Sequence, residues 1–490
     1  VLAVLSTSLL LCGIDLTVLH AAVPSMSLDL RPSSAGLLWI VDVYSLTLAA
    51  LLVTCGTLGD RIGRKRMVLG GFALFGLASA AAGLSSSTAQ LIASRVVLGI
   101  GAAMIMASTV AIIRVVFSDS RERAVAIGIW TAAHSVGATI GPLVGGLVTE
   151  QWGWGAAFLI NVPIALAIFV VGAWIIPESR NPRPRRWDLA SVALSVTGLA
   201  AVVYALKRAG EHVGLSTVIV VTAVAGVALL YLFVRRQRRL TEPLLDFSLF
   251  SDRVFYTATV CVIGCFGSYV ALLFFLTQWL QQVGGFTPVH AGLALMPLAA
   301  ANAAGATTAP WVSARLGNRW ALTGALGAFA AAMALLALLG DTGAYPALVA
   351  PLLMAGYGAG VVMTLGADSI MAAADPDRSG EAAAIQETSF ELGAGLGVAV
   401  LGTVLTVTYR IGFPDTPELV ASAREAAKES FSSAEAAASS LDPSAAGQVL
   451  DAARAAYDQG FTTVALCTAA VLALTASLAA TLLRPRPAKV

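Results

Sequence analysis

Residues 51–83 read LLVTCGTLGDRIGRKRMVLGGFALFGLASAAAG. An apolar run closes on a glycine-rich turn, Gly56 to Arg66, which carries Arg61, Arg64, Lys65 and Arg66, and a second apolar run starts at once. About 20 apolar residues suffice for a helix to cross the hydrocarbon. Two runs joined by so short a turn predict neighbouring antiparallel spans with the basic turn at the lipid headgroups. Gly56, Gly59 and Gly63 admit a tight turn and close helix approach, and Asp60 has arginines within reach.

Outward from this turn the same alternation fills the chain. Of its residues 58% are hydrophobic and 12% are charged, against about 25% charged in soluble domains. Mean hydropathy is +0.82. The chain reads as an all-α integral membrane protein with fourteen spans, near residues 1–26, 37–58, 67–84, 89–112, 123–148, 154–176, 189–206, 215–234, 254–280, 290–313, 320–339, 345–366, 380–408 and 460–483. Val1 stands inside the first apolar run, which reads as a retained helix behind a trimmed native N-terminus, not as a signal peptide. An even count puts both termini on one side. Twenty-two of the 30 basic residues fall on that side, seven on the other, and Arg95 lies within a span, so both termini are expected in the cytoplasm.

Composition also marks the joints. PESRNPRPRRW, Pro177–Trp187, is polar, basic and Pro-rich. It is expected to separate a first six-span unit (1–176) from an inserted pair of spans with cytoplasmic linkers (177–253), followed by a second six-span unit (254–490). Between the last two spans, 410–459 reads as an external helical hairpin with Ala-rich arms parted by Leu441-Asp442-Pro443. From Arg410 to Gly460 four basic and eight acidic residues leave a net −4. That stretch is either a solvated cap or an acidic rim that attracts cations.

Four carboxylates lie inside spans: Asp15, Asp42, Glu387 and Glu391. Each costs about 2.5–3.5 kcal/mol near a bilayer centre on insertion scales, on the order of 10 kcal/mol together, so a use for the charge is expected. Asp42 falls between Trp39 and Tyr44, and an acid beside aromatics suits a delocalised cation or, more simply, hydrates a vestibule. Glu387 and Glu391 share one helical face beside Phe390, with Gly393, Gly395 and Gly397 beyond, a pair suited to exchanging protons. Arg95 either snorkels from its span or acts within it. His20 and His134 are either titrating groups or hydrogen-bonded packing residues. The fifth span carries GATIGPLVGG, in which Gly137, Gly141, Gly145 and Gly146 permit close packing and Pro142 a kink.

The spacing G-x-L-x-D-R-x-G-R-K in Gly56–Lys65 resembles the signature of the major facilitator superfamily. GATIGPLVGG resembles the element of its proton-coupled exporters, LIASRVVLGIGA (Leu91–Ala102) its intramembrane arginine motif, and GIDLTVLHAAVP (Gly13–Pro24) the first helix of its fourteen-helix drug–proton antiporters of QacA and LfrA type. Departures occur at Leu98, where a glutamine is common, at His20, where asparagine is usual, and near Asn302, where some relatives carry an acid. The resemblance implies a major facilitator fold of two six-helix bundles with an inserted two-helix hairpin. It also implies export of quaternary ammonium antiseptics, dyes and similar lipophilic cations against protons, by a monomer in a bacterial cytoplasmic membrane. Asp15, Asp42, Glu387 and Glu391 would hold proton and substrate, Arg95 would support coupling, Gly56, Asp60, Arg61, Gly63 and Arg64 would form a conformational switch, and Trp39, Tyr44 and Phe390 would line the cavity. Export of an endogenous natural product, antibiotic or lipid is the alternative.

Other classes find no support. There is no phosphate loop, nucleophile elbow or metal-ligand cluster, so no enzyme, cofactor or metal site is expected. A net charge of +2 argues against nucleic acid, and Cys12, Cys55, Cys261, Cys265 and Cys467 all fall in apolar spans, where packing is their simplest role.

Overall fold

A computed structural model describes residues 1–117, 119–180, 188–211, 216–240, 243, 247–339, 345–372, 379–414, 421–439 and 441–483. The regular elements among them are all helical. Within the Pro-rich joint, 181–187 lie outside the described residues, as do 415–420 of the hairpin and the basic C-terminal residues 484–490.

The first bundle comprises α1 (Leu2–Leu30), α2 (Ser34–Ile62), α3 (Arg64–Gly83), α4 (Thr88–Val116), α5 (Ser120–Trp152), the one-turn α6 (Ala156–Leu159) and α7 (Asn161–Ile175). At 1.5 Å per residue the 29 residues of α1 reach about 43 Å, beyond the ~30 Å of hydrocarbon. Ser33 and Ser87 cap α2 and α4 by accepting from Gly36 N and Gln90 N. Gly63 turns α2 into α3 at φ 115, a conformation only glycine adopts without strain.

The inserted pair is α8 (Leu189–Glu211) and α9 (Thr217–Gln237). They pack on each other, and α8 also packs against α2 and on a helix of the second bundle. Arg236 Nε and Nη2 each lie 2.9 Å from the Asp188 carboxylate, tying one end of the pair. Those hydrogen bonds hold the Asp188 carboxyl down at about 2.

The second bundle comprises α10 (Arg253–Gln282), α11 (Pro288–Ala294), α12 (Met296–Leu339), α13 (Tyr345–Ala372), α14 (Ser379–Gly412) and, after α15 (Ala421–Glu429) and α16 (Phe431–Ala438), the long α17 (Pro443–Leu482). Gly317 breaks α12 at φ 74. This glycine lies in ARLGNRW, the degenerate counterpart of the basic turn, so the backbone turn persists where its acid has gone.

Twelve stretches among the described residues are long and apolar enough to cross a membrane. One of them, Pro288–Leu339, has 52 residues and the Gly317 break, and so provides two passages. The 33-residue α5 lies alongside α1 and provides another. Among the described residues, twelve stretches meet this measure, against the fourteen spans expected.

The hairpin departs from the expected two arms. Its first arm is divided by Ser430, which caps α16 by accepting from Ser433 N. Its second arm is continuous with the last span, because Asp442 caps and Pro443 begins a 40-residue helix with no later proline. The hairpin is strapped to both bundles: Ser34 Oγ donates to the Glu429 carbonyl at 2.5 Å, Tyr409 Oη to the Ala427 carbonyl at 3.0 Å, and Trp279 Nε1 to Asp458 at 2.7 Å.

The bundles meet through α2–α14, α5–α11 and α1–α10. Glycines permit the closest approaches, where an added Cβ at Gly146 would collide with the Pro288 carbonyl, one at Gly292 with Leu143, one at Gly395 with Leu46 and one at Gly402 with Leu38. These contacts run from mid-depth to the hairpin end of the molecule.

Candidate functional site

Asp15 sits mid-way along α1 and Arg95 two helix turns into α4, and both side chains are completely buried. Arg95 Nη1 donates to Asp15 Oδ2 at 2.7 Å. The remaining guanidinium donors reach the Ile40 carbonyl at 3.1 Å and the Val41 carbonyl at 3.3 Å on α2. Asn161, the first residue of α7, donates from Nδ2 to the other carboxylate oxygen at 2.6 Å. Arg95 therefore does not snorkel: it faces inward and joins four helices around one ion pair. The planar fork of arginine suits such convergence.

Tyr44 completes this unit instead of opening onto a cavity. Its ring lies 4.6 Å from Arg95 Cζ and its hydroxyl reaches the Cys12 carbonyl at 3.4 Å. Phe158 of α6 stands 5.8 Å from the same guanidinium. Trp39 is turned elsewhere, packing on Leu46, Val203 and Ala399 where α2, α8 and α14 join. Asp42 is buried at 2% exposure, so it is no open vestibule acid here. Asn302 is buried in α12, with Nδ2 4.0 Å from Met363 Sδ of α13.

Glu387 and Glu391 lie one turn apart on α14, both buried. Gln386 Nε2 donates weakly to Glu387 Oε1 at 3.4 Å, and Phe390 beside them meets Phe266 edge-on at 5.0 Å. Neither Glu391 oxygen has a hydrogen-bond partner. Across the seam, His134 Nε2 of α5 stands 3.8 Å from Glu391 Oε1 and has no hydrogen bond of its own. One bundle's acid thus faces the other bundle's imidazole, both buried.

The GATIGPLVGG element divides by face. Gly137, Gly141 and Gly145 bring α5 onto α1, where a Cβ would strike the Leu10 carbonyl, the Thr17 hydroxyl and the Val18 carbonyl respectively. Gly13 answers from α1, against the His134 carbonyl, and Thr17 Oγ1 donates to the Ala138 carbonyl at 2.7 Å. Gly146 and the Pro142 carbonyl instead face α11 of the second bundle. At the opposite end, Asp60 accepts from Arg64 Nε and Nη2 at 2.9 and 2.7 Å, and Arg64 N donates to the Ser179 carbonyl at 3.0 Å. Gly63 abuts the Glu178 carboxylate, Gly56 and Gly59 lie against Ala107 and Ser108 of α4, and Arg61 is exposed.

Residues 5–398 match the model of the Major Facilitator Superfamily. The chain belongs to this superfamily. It is 39% identical over 476 residues to the multidrug efflux pump LfrA of Mycolicibacterium smegmatis, covering 97% of this chain and 94% of that one. It is 36% identical to the methyl viologen resistance protein SmvA of Salmonella typhimurium, over 91% and 90% of the two chains. The tetracenomycin C resistance and export protein of Streptomyces glaucescens is 32% identical, over 85% and 77%. Among solved structures, a bacterial homologue of the human lysosomal transporter Spinster superposes with a TM-score of 0.68 at 17% identity, over 98% and 96% of the chains, which shows a common fold. This major facilitator protein is a multi-pass membrane transporter and not an enzyme.

Sequence reasoning missed Asn161 and left His134 open between titration and packing. Asn161 stands at the start of a short helix with no motif around it, and only its depth beside Asp15 reveals it. His134 lies three residues before Gly137, and its importance depends on which bundle faces it.

Proposed function

We propose that this major facilitator protein is a proton-coupled antiporter that exports lipophilic cationic drugs. The observation that carries the reading is Glu391, fully buried on α14 and facing His134 of the other bundle. A carboxyl group buried in hydrocarbon is stable either protonated and neutral or ionised beside a cation, so proton and cation are alternative occupants. With Glu387 one turn away, the two ligands compete for the same pair of groups, which is the condition for exchange. Lipophilic cations fit the aromatic surroundings, and the relatives named for drug efflux and methyl viologen resistance support the substrate class.

The remaining residues have distinct parts. The Asp15–Arg95–Asn161 unit holds its charge internally, so it keeps the first bundle rigid and fixes α2, which carries Asp42 and Ser45 toward the seam. The fourteen-helix subgroup and cytoplasmic termini follow the basic-residue asymmetry, which makes the hairpin end extracellular. The bundles are then in contact on the outer side. Opening outward requires the Gly146–Pro288 and Gly402–Leu38 contacts to part, while the Asp60–Arg64 turn gains partners in the second bundle. A natural-product cargo is the second reading, favoured by the relative named for tetracenomycin C export.

Proton release from purified protein on adding ethidium tests the proposal. The wild type is expected to release protons, with the signal lost in Glu387→Gln/Glu391→Gln and reduced in His134→Leu. Unchanged release from the double variant would remove these glutamates from the exchange.

A further inference from the structure

Beneath the hairpin lies a polar-aromatic cavity, apart from Glu387 and Glu391. It is a cleft of about 60 Å³, open to solvent on one side, between α2, α10, α14, the α15–α16 joint and α17. Phe274, Tyr409, Phe431 and Tyr457 supply its ring surfaces, and Glu429 its one ionisable acid; no lysine, arginine or histidine lines it. Two of its polar groups are buried and unpartnered: the Tyr457 hydroxyl, on a residue 4% exposed, and Gln282 Oε1, on a residue 8% exposed. A buried polar atom without a partner costs about 1–3 kcal/mol, and two on one cavity wall mark a place where a ligand supplies what the protein omits.

We propose that this cavity is a second binding site, for lipophilic amines that carry both a positive charge and an N–H donor. The reading rests on the proposed cation export and names a further stop for the cargo at the hairpin end. Gln282 Oε1 is an acceptor only, so it requires a donor from the ligand. Aromatic faces, with an acid and no basic residue in the lining, favour a cation over a neutral or anionic molecule. A fully alkylated or arylated cation offers charge without a donor and leaves Gln282 Oε1 unsatisfied. The site thus discriminates among cations by their N–H groups, which the Glu387–Glu391 pair, recognising charge, does not require. Its placement follows from the strap: Ser34 and Tyr409 hold the α15–α16 joint over the cavity. Phe274, on its wall, also meets His20 of α1 edge-on at 5.1 Å, so the cavity abuts the seam between the bundles.

Equilibrium binding to the purified full-length protein tests this with ethidium, which has exocyclic amino groups, and tetraphenylphosphonium, which has no N–H. In the Glu387→Gln/Glu391→Gln background, ethidium is expected to bind one equivalent. Adding Tyr457→Phe and Gln282→Met, which keep the ring and the chain length, is expected to weaken it at least tenfold. Tetraphenylphosphonium is expected to bind that background at least tenfold more weakly than ethidium. No ethidium binding in that background, or binding that Tyr457→Phe with Gln282→Met leaves unchanged, overturns the site. Equal affinity for the two cations overturns its N–H preference. Failure of the export reading looks different: the wild type would release no protons, while the effect of Tyr457→Phe on ethidium would still be measurable.

Discussion

Replacing Arg95 by methionine isolates the central ion pair. The substitution keeps an unbranched stem in the packed channel beside Tyr44 and removes the 2.7 Å bond to Asp15 and those to the Ile40 and Val41 carbonyls. Asp15 is left with Asn161 alone, as a carboxylate with no exposed surface. Breaking a buried pair from one side costs about 3–5 kcal/mol, because the remaining charge stays desolvated. The bilayer offers no water to relieve it. Asp15→Asn should cost a similar amount, since it strands the guanidinium. Removing both charges should cost much less than the sum, with a coupling of about 3 kcal/mol, the upper end for residues in direct contact. Unfolding by sodium dodecyl sulfate in mixed micelles, followed by tryptophan emission, measures each variant. If the two single losses simply add to within about 0.5 kcal/mol, Arg95 and Asp15 do not form one unit and the inward-facing arginine is refuted.

Gly145→Ala places a methyl on the Val18 carbonyl and should push α5 off α1, abolishing efflux of ethidium from cells while leaving membrane expression measurable by immunoblot. Gly63→Ala forces a side chain into φ 115 and should destabilise the turn by about 1–3 kcal/mol, read in the same detergent titration, whereas Gly285→Ala, with nothing within 4 Å of its Cβ, isolates the cost of positive φ alone. In the hairpin, burial pushes the Glu435 carboxyl up from its ordinary value, partly offset by Arg454. An acid whose folded pKa is raised contributes stability that is fully present below its unfolded pKa and is lost as pH rises through the folded one. Hydrogen exchange of α16 should therefore speed up as pH rises beyond its intrinsic trend, and Glu435→Gln should remove that excess. Asp188 behaves oppositely: with its carboxyl held at about 2, the tie to Arg236 persists from neutral pH until strong acid, and loss of the tie near pH 5 would contradict the geometry.

The chain's hydrophobic runs and turn glycines determined by themselves that it is a bundle of membrane helices and where those helices turn. Hydrocarbon admits few structures, so an apolar run of about 20 residues has one outcome. The motif around Gly63 was likewise local, and its counterpart Gly317 could be located although its charges had changed. Which groups meet across the bundles is not a local property. Asp15, Asp42, Glu387 and Glu391 look alike as acids in spans, yet one is locked to Arg95 and Asn161 while another stands before His134 with nothing bonded to it. Residues 15, 95 and 161 are joined by helix packing over long stretches of chain, and 134 and 391 by the contact of two bundles. Only the tertiary structure decided that Tyr44 braces an arginine, that Trp39 faces the inserted helices, and that Gly146 and Gly145, adjacent in sequence, serve different bundles. A helix turns by about 100° per residue, so neighbours in sequence point to different partners, and the partners are set by how whole helices pack.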